Sequence, residues 1–539
     1  MKLPILASRS TQPLAASAAL IRSTWLWSSI AVLSGLTGCA VGPDFKSPDE
    51  PQVDHYTAQS LPEKTVATAV PGGNAQTFTI GKELPAQWWT LFGSDKLDAL
   101  VSQAFANSPT TAAARAALKQ AEENLTAQRG AYFPSVDAHG SATRQKTNTS
   151  SLGATTPTES LYNLYNASVS VAYTLDIFGG VRRSVEAQAA LTEAQRFELQ
   201  ATYLTLAANV VTASVSTASL RDQLAATKDI VAAQEKQLEI AEKRHQLGAI
   251  AYADVLAAQS NLASVRATLP ALEKQYGAVQ NQLAVYLGKL PSEFNGGDFD
   301  LAELQLPSEI PLSVPAQLVR QRPDVRAAEA RLHQASALIG VATANLLPQV
   351  SITGSFGSQA TESAQLFKDK IWSIGAGVTQ PLFHGGALTA KRRAAIAAYD
   401  EAAADYRLAV LTAYQNVADA LTALQSDAQA LQAQYVAMSS AKESLALVER
   451  QYALGSVSYI NLLTAQRQYQ QSRVSYSQAL ASRYQDTAAL FQALGGKWDE
   501  AALTATAEKN SSSVTTASTP ESNPEAQNAK PELKNNEQQ

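Results

Sequence analysis

Two stretches of this chain keep an apolar seam at three- and four-residue spacing for longer than a single globular domain requires. From Val181 to Leu247 there is neither Gly nor Pro, and from Ala387 to Leu454 there is none either, which makes uninterrupted runs of 67 and 68 residues. Leu220, Leu224, Val231 and Leu238 mark the first seam, and Leu411, Val417, Leu421 and Leu424 the second, so each run predicts a helix packed against neighbours. At 1.5 Å per residue each rod would be about 100 Å long. Both stop at a glycine, Gly248 and Gly455, the residue that most readily ends a helix. Helical pattern resumes over 252–287 and 458–494, which predicts a helical hairpin in each half.

A second periodicity precedes each rod. Ala167 to Ile177 and Trp372 to Thr379 alternate apolar with small or polar residues, and Val136 to Thr143 and Val350 to Phe356 do so more weakly, just after Pro134 and Pro348. These runs predict strands at about 134–147, 166–178, 348–358 and 371–383. Alternation with one apolar and one polar face is the pattern of a transmembrane barrel strand; a sheet lying on an ordinary soluble core is the other reading. In lipid, four strands with open edges would leave backbone groups unpaired at several kcal/mol each. The membrane reading therefore predicts that several copies pool their strands in a closed, symmetric barrel.

The halves are duplicates. Gln246–Leu256 returns as Ala453–Leu463, with Gly455 following Gly248 by 207 residues, whereas Pro323 follows Pro109 and Pro348 follows Pro134 by 214. The first strand hairpin thus holds seven extra residues, expected in the Ser/Thr/Gly/Pro-rich stretch Thr147–Ser160, a loop outside the cell. The organisation read from this is a first repeat over 95–290, a proline-containing linker over 291–315 outside any tunnel, and a second repeat over 316–498. Residues 39–94 read as an extended N-terminal segment, and 499–539 as a disordered tail with few large apolar groups.

The amino terminus adds a compartment. Lys2, Arg9 and Arg22 precede an apolar run from Trp25 to Leu36 that is too short to span a bilayer, so residues 1–38 read as an export signal. The run ends in Leu36-Thr37-Gly38-Cys39, the pattern of a bacterial lipoprotein signal, in which Cys39 receives S-diacylglycerol and an N-palmitoyl chain; each buried methylene contributes about 0.8 kcal/mol to anchoring. Cys39 is the only cysteine, which excludes a disulfide framework and a thiolate metal site. Ala40 in place of an Asp favours the outer membrane. A net charge of −5 over 539 residues gives no reason to expect nucleic acid as a partner. Five scattered histidines and Gly-Gly pairs without a phosphate-binding fingerprint suggest neither an enzyme nor a cofactor beyond the covalent lipid. Arg182-Arg183 and Lys391-Arg392-Arg393 read as solvated rim or lumen charges.

Over about residues 36–498 the chain resembles the TolC-like outer membrane factors of tripartite efflux systems, in particular their lipoprotein branch. The marks are the lipobox at Cys39, Trp88-Trp89-Thr90-Leu91-Phe92, Asn107-Ser108-Pro109, Arg322-Pro323-Asp324-Val325-Arg326, Pro381-Leu382-Phe383-His384-Gly385-Gly386 and the two Leu-Gly turns. The resemblance implies a mainly α fold with a transmembrane β-barrel. It would be a homotrimer closing a twelve-stranded barrel in the outer membrane above a twelve-helix periplasmic tunnel, with a periplasmic adaptor and an inner-membrane pump of the resistance-nodulation-division type as partners. It also implies a gate at the hairpin turns, Gly248–Asp254 and Gly455–Asn461, with Asp254 and Tyr452 as the closing pair. Asn461 and Thr464 stand where the family's narrowest ring has aspartates, and Val457 stands where an Arg supports the latch, so closure here is expected to rest on amides and apolar contacts including Leu462 and Leu463. A helix-cap role for Asp254 is the alternative. The function expected is a passive exit duct for small toxic compounds; a duct for type I protein secretion and a lipid-anchored coiled-coil scaffold are the rivals.

Overall fold

The computed structural model describes residues 40–58, 62–148, 159–294 and 299–496. The stretch 1–38 read as a signal, Cys39 and the stretch 499–539 read as a tail lie outside them. The chain divides into two compact units: Met1–Gln59, Ala113–Ala201 and Val314–Ala418 form one, and Ser60–Ala112, Thr202–Ser313 and Asp419–Gln539 the other. In order, the elements are β1 (Thr77–Ile80), α1 (Asp95–Asn107), α2 (Pro109–Arg129), β2 (Ser135–Asn148), β3 (Glu159–Leu175), α3 (Gly180–Gln246), α4 (Tyr252–Arg266), α5 (Leu269–Tyr286), β4 (Glu309–Leu312), α6 (Pro315–Gln321), α7 (Pro323–Ala344), β5 (Gln349–Ala360), β6 (Lys370–Thr379), α8 (Ala387–Ala453) and α9 (Tyr459–Leu494).

The first unit contains the four-stranded sheet, antiparallel throughout in the order β2-β3-β5-β6. β2 and β5 begin directly after Pro134 and Pro348, because proline cannot supply the next ladder hydrogen bond. β3 begins at Glu159, seven residues before the expected start, and β2 continues to Asn148. Leu161, Tyr162, Leu164 and Tyr165 do not alternate, so pairing with β2, from Thr147↔Ser160 onward, makes this stretch a strand. Thr147 and Ser160 are accordingly strand residues rather than loop, and the remainder of the expected loop, 149–158, lies outside the described residues.

Residues 40–58 of the N-terminal segment form a strap laid over the helices of this unit. The Val41 amide donates to Phe178 O at 3.0 Å, Phe45 stacks on His333 at 4.4 Å, and Arg320 pairs with Glu50. Arg183 is not a solvated charge: its side chain is 6% exposed and pairs with Asp44 at 2.6 Å and Glu186 at 2.8 Å. Burial of a guanidinium demands such partners, and the one that matters comes from the strap, 139 residues earlier. Arg182 bonds Asp176, and Arg392 reaches Thr343.

In the second unit the Trp88–Phe92 turn supplies the core. Trp88 and Phe92 pack on Phe491, with ring centroids 5.7 and 6.2 Å away, and Phe105 meets Tyr203 edge-on at 5.0 Å. Ser94 caps α1 by accepting from Leu97 N. The segment at 291–315 is more than a linker: Leu301, Leu304, Leu306, Ile310 and Leu312 are buried, and β4 pairs in parallel with β1. The return helix expected over 252–287 is two helices, α4 and α5, broken at Ala267–Thr268. Pro270 at the start of α5 has no amide to continue the ladder. Its counterpart 207 residues later is Ser477, and α9 runs unbroken for 36 residues.

Candidate functional site

Strand register gives the sheet of the first unit two chemically distinct faces. Val136, Val171, Gly354 and Ile374 stand in one cross-strand row, and Ala138, Val169, Phe356 and Trp372 in the next. Leu175, Val350 and Val378 continue the same face. The opposite face carries Ser135, Asp137, His139, Ser168, Ser170, Ser351, Thr353, Ser355, Ser373 and Gly377, with a Ser355–Ser373 hydroxyl bond of 2.8 Å. The apolar face is bare: Trp372 is 73% and Ile374 75% exposed. The outer edges of β2 and β6 have no partner among the described residues. A bare apolar face joined to two open edges needs both an apolar surrounding and further strands.

The second unit holds both hairpin turns, and they are built alike. After α3 the Gly248 amide donates to His245 O and the Ala249 amide to Arg244 O; after α8 the Gly455 amide donates to Tyr452 O and the Ser456 amide to Gln451 O. Both glycines sit at positive φ, +72° and +74°, where any side chain would be strained. The return helices start on Ala251 and Ser458, and the Asp254 and Asn461 amides donate to the carbonyls of those residues. Asp254 thus stands in the first turn of α4, where its charge complements the helix dipole.

Behind the turns a small core joins the hairpins. Tyr452, Tyr459 and Leu462 are buried in one cluster with Ala241, Val255 and Ala258, and Leu463, Val457 and Ile250 pack on its margin. The two tyrosine rings meet edge-on at 5.9 Å, and Arg244 lies over the Tyr452 ring at 5.1 Å. Within one chain no hydrogen bond joins Asp254 to Tyr452. Burial, then Tyr452, then the Asp254 charge push the Tyr459 phenol up to about 12, while Arg467 opposes them. Leu462 is fully buried and so holds the hairpin rather than lining an opening. Asn461 and Thr464 are exposed, and the Thr464 hydroxyl bonds Ile460 O. Leu247 and Leu454 project at 83% and 85% exposure.

One feature of the second unit had no signal in the sequence. Burial, followed by the neighbouring Asp486 carboxyl, pushes Asp427 up to about 7. Arg483 is nearby and fully buried; its Nη2 donates to Asn74 O at 2.5 Å and Thr65 Oγ1 at 3.2 Å. A 59-residue separation of two aspartates on long helices carries no local pattern.

A family model described as outer membrane efflux protein matches residues 100–289 and 314–496. The chain is 31% identical over 440 residues to the pyoverdine export outer membrane protein OpmQ of Pseudomonas putida, covering 80% of this chain and 93% of that one. It is 27% identical over 474 residues to the toluene efflux pump outer membrane protein TtgC of the same species, covering 86% and 94%. Among solved structures, the outer-membrane channel OprN is similar at 27% identity with a TM-score of 0.75, covering 85% of this chain and all of that one. The Campylobacter jejuni CmeC outer membrane channel shares the fold at a TM-score of 0.76 and 20% identity, covering 88% and 98%.

Proposed function

Because the chain belongs to the outer membrane efflux protein family, we propose that three copies of it close a single passive duct for small molecules. The chain is an outer membrane efflux channel, and the observation that carries the finer reading is the two-faced sheet with both outer edges open. Four strands cannot close alone, and the smallest membrane barrels have about eight. Three copies supply twelve, the number that the resemblance to TolC-like factors implies. The apolar face then meets lipid, and the Ser/Thr/Gly face lines an aqueous lumen that offers hydroxyls without binding cargo tightly. In this reading α3, α8 and the return helices of three chains make a twelve-helix periplasmic tunnel.

The duct's partners are a periplasmic adaptor and an inner-membrane pump of the resistance-nodulation-division type, which supplies the energy; the duct itself does no chemistry. Cargo of small organic compounds is supported by relatives named for pyoverdine export and toluene efflux. Cys39, carrying S-diacylglycerol and an N-palmitoyl chain, tethers the trimer to the outer membrane. Closure lies at the hairpin turns, where Asp254, Asn461 and Thr464 stand in or just beyond the first turns of the return helices, backed by Tyr452, Leu462 and Leu463. Reconstitution into planar bilayers tests the duct: discrete conductance steps support it, and a folded protein that passes no current removes it. In the same assay Asp254→Ala is expected to raise the resting conductance, and an unchanged conductance would remove Asp254 from the gate.

A further inference from the structure

Gln234 breaks the apolar seam of α3. It stands three residues after Val231 and four before Leu238, where helical spacing calls for an apolar side chain, and it is only 4% exposed. Neither its Nε2 nor its Oε1 has a hydrogen-bond partner among the described residues. Gln466 of α9, 5% exposed, likewise leaves its Oε1 unpaired. An unpaired buried amide costs about 1–3 kcal/mol. Packing alone does not ask for Gln234, because the matching residue of the other repeat, 207 positions on, is Ala441, which is buried too.

Both amides line one pocket of about 180 Å³ in the second unit, framed by α3, α8 and α9. Asp229, Ile230 and Gln234 share a face of α3, and Leu445 and Glu449 stand one turn apart on α8. The pocket is graded: the two amides are buried at its floor, Ile230 and Leu445 flank it half-buried, and Asp229 and Glu449 stand exposed at its rim. Neither rim carboxylate takes part in an ion pair among the described residues. Arg473, also in the wall, already has a counter-charge, since its Nη2 donates to Asp222 Oδ1 at 3.0 Å, and its Nε remains an unpaired donor. Asp229, like Gln234, has no polar equivalent in the other repeat, where Val436 takes its place.

We propose that this pocket binds a small aliphatic amine that carries a hydroxyl or amide at its other end. The ammonium sits at Asp229 and Glu449, the carbon stem lies along Ile230 and Leu445, and the polar end both donates to and accepts from the floor. Two carboxylates without a counter-charge favour a cation. The floor favours a group that donates and accepts at once, because it offers two amide oxygens beside the Nε2 of Gln234 and the Nε of Arg473. A second ammonium could only donate there, next to the charge of the guanidinium. A cavity of about 150 Å³ takes a benzene-sized guest, so this one has room for about seven heavy atoms, the size of 5-aminopentan-1-ol. The site is complete within one chain, so the inference does not rest on the number of copies in the duct.

The test is isothermal titration calorimetry of 5-aminopentan-1-ol into the full-length protein in mild detergent, with pentylamine and pentane-1,5-diol as probes that each lack one end. The expected result is saturable binding, one molecule per chain, weakened about tenfold for pentylamine and at least as much for the diol. Gln234→Ala, which installs the residue that the other repeat carries, is expected to weaken the amino alcohol about tenfold. Asp229→Asn changes only the exposed rim, where folding is not at stake, and is expected to weaken it as well. Gln259→Ala, at the exposed counterpart of Gln466 in the first repeat, leaves binding unchanged. The absence of saturable heat, a diol that binds as tightly as the amino alcohol, or binding indifferent to both Gln234→Ala and Asp229→Asn overturns the site.

Discussion

At the scale of single residues, close backbone approach and buried charge set the chain's sensitive points. Gly42 adopts φ +100° and lies against Gly340, so Gly42→Ala meets strain and a backbone clash at once. It should cost about 1–3 kcal/mol, seen as a lower melting temperature and as faster proteolysis within the strap. The Asp427–Asp486 pair gives a pH dependence with a defined sign. Its folded pKa is raised, to about 7 from 3.8, so the folded state holds a proton that the unfolded chain has released between those values. Its contribution to stability is therefore full below about pH 4 and is lost as pH rises through 7. Asp427→Asn should flatten the fall in stability between pH 5 and 8, and a slope identical to that of the wild type would contradict a raised Asp427. Arg183, paired with Asp44 and Glu186, shows why such residues escape a sequence reading: a local window shows two adjacent arginines and nothing of Asp44, 139 positions away.

At the scale of elements, periodicity was the legible signal wherever one face of an element decides its environment. The long helices α3 and α8 and the starts of β2 and β5 follow from seams, glycines and prolines. The early start of β3 was not legible, because Leu161–Tyr165 become a strand by pairing with β2 rather than by alternation. The break between α4 and α5 was written in Pro270, and its cost can be transferred to the other half. Ser477→Pro, in the middle of the continuous α9 at a site 1% exposed, should cost about 3 kcal/mol or more, measured by thermal unfolding. The hairpin tips separate core from surface in the same way. Leu462→Ala should destabilise by about 2–5 kcal/mol because its site is fully buried. Leu454→Ala, at 85% exposure, should stay within about 0.5 kcal/mol and act on partner binding if it acts at all.

At the scale of the whole molecule, one requirement organises the rest: a sheet with a bare apolar face and two open edges is incomplete as a single chain. The duplication and the two-faced strands carried that conclusion in the sequence, whereas the number of copies comes only through the resemblance. The proposed gate was legible least, since Tyr452 and Leu462, read in the sequence as closing residues, are buried in the core that joins the two hairpins of one chain. The mass of the intact complex in mild detergent, measured by native mass spectrometry, tests the central claim most directly. The account predicts a species of three lipidated chains, and a folded species of one chain would contradict it.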